Sequence, residues 1–314
     1  MVYLDAILKV LPVLLLLGIG YWLGRQGFFG PRTAEDLKRL VVNVALPASL
    51  FLAFSRVTLD AGLVVIPLAV FAACVLVFVV AFRLPQARSR RAFPYLMSGF
   101  EAGMMGYAIF GAAYGQENIY KFGVVDLGQV TFVFFILVPA LRRLSGGVQS
   151  FRDVLISFLK TPVILAILGG ILFSQSGLYA RLADNPVYGS LQTALGLLGG
   201  MTTPLATLVI GSEIRLKGGQ LSAPARTVLL RLLIWAPAAL LLNLVVGRLL
   251  GLDPLYQAAI LLMAVLPPPF VVPLFLQNAP EEETAYVVNT LSLATLATLL
   301  AFVVVTLVYP HTRL

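Results

Sequence analysis

Apolar residues gather into ten stretches separated by short polar connections. The stretches cover about 4–23, 35–55, 61–82, 94–114, 120–141, 153–173, 188–212, 225–249, 255–277 and 284–308. About 20 residues of helix rise roughly 30 Å, enough to cross the hydrocarbon core of a bilayer. The pattern predicts an all-α polytopic membrane protein of ten transmembrane helices. No connection is long enough for a separate soluble domain.

The ninth stretch contradicts a plain membrane helix. It reads Met263-Ala264-Val265-Leu266-Pro267-Pro268-Pro269-Phe270-Val271-Val272-Pro273, with three consecutive prolines near its middle. Proline lacks an N–H and pushes the preceding residue out of helical dihedrals. Three in a row unwind the helix, and lipid cannot hydrogen-bond the carbonyls this frees. Unwound backbone at that depth is stable only against protein or a wet cavity. Many secondary transporters build their sites from such interruptions.

Charge adds an orientation. The chain carries a net charge of +8, with 22 Lys and Arg. With the N-terminus outside, the inner connections and their flanks hold Arg25, Arg32, Lys38, Arg39, Arg83, Arg88, Arg90, Arg91, Arg142, Arg143, Arg152, Arg215, Lys217 and Arg226. Arg56, Lys121, Arg181, Arg248 and Arg313 fall outside, and Lys9, Lys160 and Arg231 within spans. Fourteen against five is a strong positive-inside bias, so both termini are expected outside a prokaryotic cytoplasmic (inner) membrane. The same bias accounts for the basic charge without nucleic acid as a partner.

Composition excludes several chemistries. Of 314 residues, 60% are hydrophobic and 11% charged, and mean hydropathy is +0.96. The one cysteine, Cys74, offers no disulfide framework, and the one histidine, His311, no histidine metal site or Ser-His-Asp triad. Lys9 ahead of an apolar run has the look of a signal peptide. Asp5 and the missing small-residue cleavage pattern favour a first span instead.

The ten stretches divide into two sets of five, 1–146 and 147–314, and the halves resemble each other. Leu11-Pro12-Val13 answers Thr161-Pro162-Val163, and Asn43-Val44-Ala45-Leu46-Pro47 answers Gly200-Met201-Thr202-Thr203-Pro204. Val124-Val125-Asp126 answers Val287-Val288-Asn289, and the offsets drift through 150, 157 and 163 residues. An odd number of spans per repeat inverts the second half, giving two inverted five-helix repeats. By the last offset Pro269 corresponds to Gly106, in Glu101-Ala102-Gly103-Met104-Met105-Gly106-Tyr107. Gly103 to Gly106 is therefore the expected break in span 4, with Glu101 beside it, although small residues also serve plain helix packing. Two broken helices crossing at the midplane would aim positive half-helix N-termini at one point, which suits an anion.

At Leu37-Lys38-Arg39-Leu40-Val41-Val42-Asn43-Val44-Ala45-Leu46-Pro47-Ala48-Ser49-Leu50-Phe51 the chain resembles the auxin efflux carrier family, whose second span typically carries an asparagine followed by A-L-P-x-x-L-F. Gly18-Ile19-Gly20-Tyr21-Trp22-Leu23 and Pro204-Leu205-Ala206 through Gly211 extend the likeness over nearly the whole chain. The resemblance implies ten helices with broken, crossing helices 4 and 9, similar in fold to bile-acid sodium symporters and sodium/proton antiporters. Bacterial members are associated with malonate, malate and other organic anions, and a homodimer is implied by analogy. Plant members place an Asn-Pro-Asn-like break in span 4, where this chain has Gly103-Met104-Met105-Gly106. Their long loop after span 5 is replaced by Ser145-Gly146-Gly147-Val148-Gln149-Ser150. Auxin itself is therefore not carried over as the substrate.

Polar residues within spans each need a reason, since a charge at the bilayer centre costs several kcal/mol. Glu101, Asp126, Gln129 and Ser292 are the ion-coupling candidates; for Asp126 the alternative is a structural pairing with Lys121. Asn43, Pro47, Gly103, Met104, Gly106, Thr202, Thr203, Pro267, Pro268 and Asn289 are the candidates to line a substrate site. Pro47 frees the Asn43 carbonyl, because a proline removes the bond to the residue four earlier. Arg231 reads either as a fork for a substrate carboxylate or as a snorkelling cation. Glu213, beside Arg215, Lys9, Lys160 and the acid-rich start Glu281-Glu282-Glu283 read as solvated interfaces. The expectation is a non-enzymatic carrier of a small organic anion, a mono- or dicarboxylate or auxin-like weak acid. It lies in the lipid bilayer and needs no cofactor beyond a coupling Na+ or H+. The alternatives are an uncoupled facilitator or channel and an ion/proton antiporter. An intramembrane enzyme lacks a motif, and a receptor lacks a protruding domain.

Overall fold

A computed structural model describes residues 2–57, 62–182, 184–216, 218, 221–251, 253–276 and 279–310. Lys217, His311 and Arg313 lie outside the described residues, as do the side chains of Asp5, Lys9 and Arg248. Helices follow the apolar stretches, and the prolines and glycines decide where each bends or stops.

The first helix, α1 (Val2–Arg25), is unbroken despite Pro12. Next, α2 (Pro31–Leu40) runs through a π-helical turn, Val41–Ala45, into α3 (Leu46–Phe54). Pro47 has no N–H to give, and the wider turn absorbs this by letting the Leu46 N–H reach the Val41 carbonyl. After α4 (Gly62–Ala81) come two short helices, α5 (Gln86–Ser89) and α6 (Phe93–Met97). Residues 98–101 are non-helical, and a second π turn, Ala102–Gly106, opens α7 (Tyr107–Tyr114). A further π turn, Val133–Leu137, joins α8 (Ile119–Phe132) to α9 (Val138–Leu144) ahead of Pro139.

In the second half, α10 (Phe151–Leu159) and α11 (Pro162–Gln175) meet at 61°, with Pro162 opening the second and Lys160 exposed at the bend. A short α12 (Leu178–Leu182) leads to α13 (Pro186–Gly200), which passes through Met201 into α14 (Thr202–Glu213). Then α15 (Ser222–Leu250) precedes α16 (Pro254–Val265), which stops at the three prolines. A 3-10 turn, Val272–Phe275, and α17 (Glu281–Val308) follow. Among the described residues there is no strand. Six helical runs among the described residues are long and apolar enough to cross a membrane, or seven with the bent pair counted as one, against ten stretches in the sequence. The shortfall falls on stretches 4 and 9, which are interrupted, and on stretch 1, whose side chains are described without a gap only over Val10–Arg25.

The helices pack in two groups. In one, α1 lies along α14, and α3 packs on α11 and α13. In the other, α4 packs on α8, and α15 and α17 on α16. They meet where α7 and α17 touch α1, and α7 also touches α14. Within the first group the backbones approach closely at glycine. A Cβ on Gly20 would stand 2.1 Å from the Leu208 carbonyl oxygen, and one on Gly170 would stand 2.9 Å from that of Phe51. Gly170 follows Gly20 by 150 residues and Leu208 follows Phe51 by 157, the offsets already found for these spans. Overpacking a helix contact costs typically about 1–3 kcal/mol. Gly20→Val is expected to lower the thermal midpoint in detergent by several degrees, whereas Gly18→Val, with open space at its Cβ, leaves it unchanged.

Candidate functional site

The interruption at 98–101 lies against the prolines of the other interrupted stretch. Ser98 is extended, with φ −128° and ψ 155°. Gly99 takes φ +75°, a left-handed conformation that side-chain-bearing residues rarely adopt, and its Cβ position lies 2.9 Å from Pro269 Cγ. The Glu101 N–H donates to the Pro267 carbonyl at 2.9 Å. In return the Phe270 N–H donates to Glu101 Oε2 at 2.8 Å, while Oε1 accepts from the Met104 N–H at 3.3 Å. One carboxylate thus caps the turn that opens α7 and clips the second interruption to it. The positive N-terminal end of this half-helix, expected to face a bound anion, is occupied by Glu101 itself.

The break is displaced from its expected place. It begins at Ser98, and Gly103, Met104 and Gly106 sit inside the π turn that follows. Gly106 is a packing glycine, since its Cβ position lies 2.4 Å from the Phe122 ring and 2.9 Å from Leu266 Cδ1. Gly103 is different, because its Cβ position meets only Glu101 Oε1, at 3.9 Å, and leaves room beside the carboxylate.

Arg231 neither snorkels nor awaits a ligand. It is 2% exposed, and its guanidinium donates to the carbonyls of Leu96 at 3.0 Å, Gly99 at 2.5 Å and Leu266 at 3.2 Å. One turn along α15, Trp235 Nε1 donates to the Met97 carbonyl at 2.8 Å. These two side chains satisfy carbonyls left free where α6 and α16 end. Trp235 carries no motif that would have marked it.

Behind the crossing, Gln129 holds the Phe100 peptide from both sides. It accepts from the Phe100 N–H and donates to the Phe100 carbonyl, each at 3.2 Å. Its amide also donates to Asp126 Oδ1 at 3.0 Å, and the Tyr107 hydroxyl to Asp126 Oδ2 at 2.8 Å. Lys121 pairs with Asp253, at the start of α16, and not with Asp126. Glu283 is likewise no solvated acid, for it accepts the Ala92 N–H at 2.7 Å, and Glu282 pairs with Arg90 at 2.5 Å.

Two further sets of candidates lie against the π turn that opens α7. The turn Val41–Ala45, with Asn43, and helix α14, with Thr202 and Thr203, both lie against Ala102–Gly106. Pro47 follows in α3. The Asn43 amide donates to the Arg39 carbonyl at 2.9 Å, and the side chain is exposed. Thr203 donates to the Ala108 carbonyl at 3.1 Å across the boundary between the groups, while the Thr202 hydroxyl is fully buried without a partner. Asn289, 1% exposed, lies on α17 with Ser292, whose hydroxyl donates to the Arg215 carbonyl at 2.7 Å.

A cavity of about 350 Å³ opens beside Phe29, Lys38, Glu213 and Arg215, with Ser292 and Thr295 on its wall, and reaches Phe270 at the crossing. Lys38 and Glu213 are ion-paired at 2.5 Å at its edge. Towards the other end of α3 a second cavity, about 320 Å³, is lined by Ser49, Arg56, Gln116, Glu117, Tyr120 and Gly199. The Ser49 hydroxyl donates to Gln116 Oε1 at 2.7 Å across this cleft.

Apolar helices, two interrupted segments clipped together by a carboxylate, and a cavity that reaches Phe270 fit a membrane transport protein. A family profile described as "Membrane transport protein" matches residues 5–309. The chain belongs to this family, that of the auxin efflux carriers. It is 28% identical over 243 residues to an "Uncharacterized transporter" of Methanothermobacter thermautotrophicus, covering 74% of this chain and 77% of that one. It is 25% identical over 281 residues to "Uncharacterized transporter YfdV" of Escherichia coli, covering 83% and 84%. It is thus a multi-pass membrane transporter, of a class that generally does no enzymatic chemistry.

Proposed function

We propose that the chain is a secondary active carrier of a small organic anion, a mono- or dicarboxylate or auxin-like weak acid, working by alternating access around the two interrupted segments. The observation that carries this reading is the Glu101 clip on Phe270, a residue that lines the cavity edged by Lys38, Glu213 and Arg215. In this reading an entering carboxylate passes Arg215 and the Lys38–Glu213 pair and competes for the two backbone N–H donors of Phe270 and Met104. Those donors are held by Glu101. A proton on Glu101 weakens it as an acceptor and frees the donors for the substrate, so proton and anion travel together. The same reading gives Glu101 the coupling role and assigns Asn43, Thr203, Gly103, Pro267 and Pro268 to the substrate path.

The same reading takes the ten stretches as ten spans in two inverted repeats, 1–146 and 147–314. Its support is the pair of glycine contacts, Gly20 on Leu208 and Gly170 on Phe51, related by the repeat offsets. Both termini then face outward from a prokaryotic inner membrane, and a homodimer is the expected assembly. Contacts between connections pair by side: Arg90 with Glu282 inside, Lys121 with Asp253 outside. In a Cys74→Ser background, Val148→Cys is expected to react with an impermeant maleimide only after the inner face is exposed, and Ser176→Cys in intact cells. The opposite pattern overturns the orientation. The test of function is uptake of radiolabelled malonate, malate and indole acetate into proteoliposomes under an imposed pH gradient. No accumulation of any carboxylate removes the proposal.

A further inference from the structure

Broken-helix carriers commonly use unwound carbonyls and the negative C-terminal ends of half-helices to hold a coupling cation. This chain has such a cluster. The carbonyls of Leu96 and Gly99 come from the end of α6, and that of Leu266 from the end of α16. Three carbonyls from two chain segments converge on one buried group, the Arg231 guanidinium: that of Leu96 accepts from Nη1, that of Gly99 from Nη2, and that of Leu266 from Nη2 and Nε. The guanidinium carbon also lies 4.7 Å from the centroid of the Phe100 ring. No acidic side chain of the described residues forms an ion pair with Arg231; its partners are carbonyls and a π face.

We infer that Arg231 is a resident cation: a covalently attached guanidinium fills a carbonyl cluster that otherwise has the chemistry of a monovalent-cation site. A buried charge must be matched by dipoles or counter-charge, and the half-helix ends supply those dipoles. Arginine suits this geometry because its planar fork presents five N–H donors in fixed directions, whereas a lysine ammonium offers three from one point. The cluster is therefore closed to sodium throughout the transport cycle, and the two interrupted segments stay joined whether or not substrate is bound. On the carrier reading above, coupling is left to a proton on Glu101.

The test is thermal unfolding of purified protein in detergent, which reads the cluster without reading transport. Arg231→Ala is expected to lower the midpoint by roughly 5 °C or more. Millimolar methylguanidinium, at matched ionic strength, is expected to restore at least half of that loss in the variant and to leave the parent protein unchanged. Sodium is expected to stabilise the parent no better than potassium. A variant as stable as the parent, a variant unaffected by methylguanidinium, or a parent stabilised by sodium over potassium each overturns the inference. If Arg231→Ala yields no folded protein, Arg231→Lys and Arg231→Met decide. The lysine variant, which keeps a charge for the carbonyls, is expected to unfold at a higher temperature than the methionine variant, and equality overturns the proposal. Failure of carboxylate uptake alone would strike the carrier reading and leave this result standing.

Discussion

Glu101→Gln is expected to abolish pH-gradient-driven accumulation in proteoliposomes, reducing uptake to equilibration, while substrate counterflow continues. Glutamine keeps one oxygen, so one of the two N–H donors, of Phe270 or Met104, retains its partner. The other faces an NH₂ group and is released. The site thus resembles the protonated state permanently, and it can bind and pass an anion but cannot exchange a proton for the work. A charge-assisted hydrogen bond is about twice as strong as a neutral one, so the parent's hold on the two donors changes with protonation whereas the variant's does not. Counterflow should also lose most of its dependence on pH. Driven uptake equal to the parent's would remove Glu101 from coupling.

Replacing Pro267, Pro268 and Pro269 together by alanine is expected to reduce transport to background. Each proline disfavours helix by roughly 3 kcal/mol relative to alanine, so the triple change removes a large barrier to extending α16 through the interruption. In the extended helix the Leu266 and Pro267 carbonyls would turn to partners four residues ahead. The first now accepts from Arg231, and the second accepts the Glu101 N–H at 2.9 Å. The cation and the carboxylate clip would both lose a partner. Helicity by circular dichroism should rise slightly, and initial uptake should fall at least a hundredfold. Normal transport by the triple variant would show that the interruption is dispensable.

The sequence made one interruption plain and misplaced the other, for a physical reason. Proline acts through its own ring and missing N–H, so Pro267 to Pro269 mark a break from local chemistry alone. The partner break has no proline inside it. It depends on Gly99 accepting a positive φ against Pro269, which only the folded chain reveals. Gly103 and Gly106 were as good candidates by composition, and the repeat offset pointed to them. The remaining partnerships join residues far apart in the chain. Arg231 bonds to carbonyls 132 and 135 positions away, and Glu283 to an N–H 191 positions away. Local reading therefore assigned the first to a ligand or an interface and the second to solvent. By contrast, Glu101, Gln129 and Thr203 stood out as polar residues in apolar runs, and the structure gathers them about the crossing.

Hydrogen bonds across the boundary between the two helix groups bear on speed. Ser49 with Gln116, Thr203 with the Ala108 carbonyl and Ser292 with Arg215 each join one group to the other. Each is a hydroxyl bond of the kind worth about 1 kcal/mol net. The buried arginine and the carboxylate clip lie wholly inside one group, so a sliding motion leaves them intact. On the alternating-access reading these small, replaceable terms are part of the activation barrier for reorientation, beside the packing of α1, α3 and α14 on α7, α8 and α17. A hydroxyl removed at Ser49 or Ser292 should change the turnover number while the saturation constant stays near its original value.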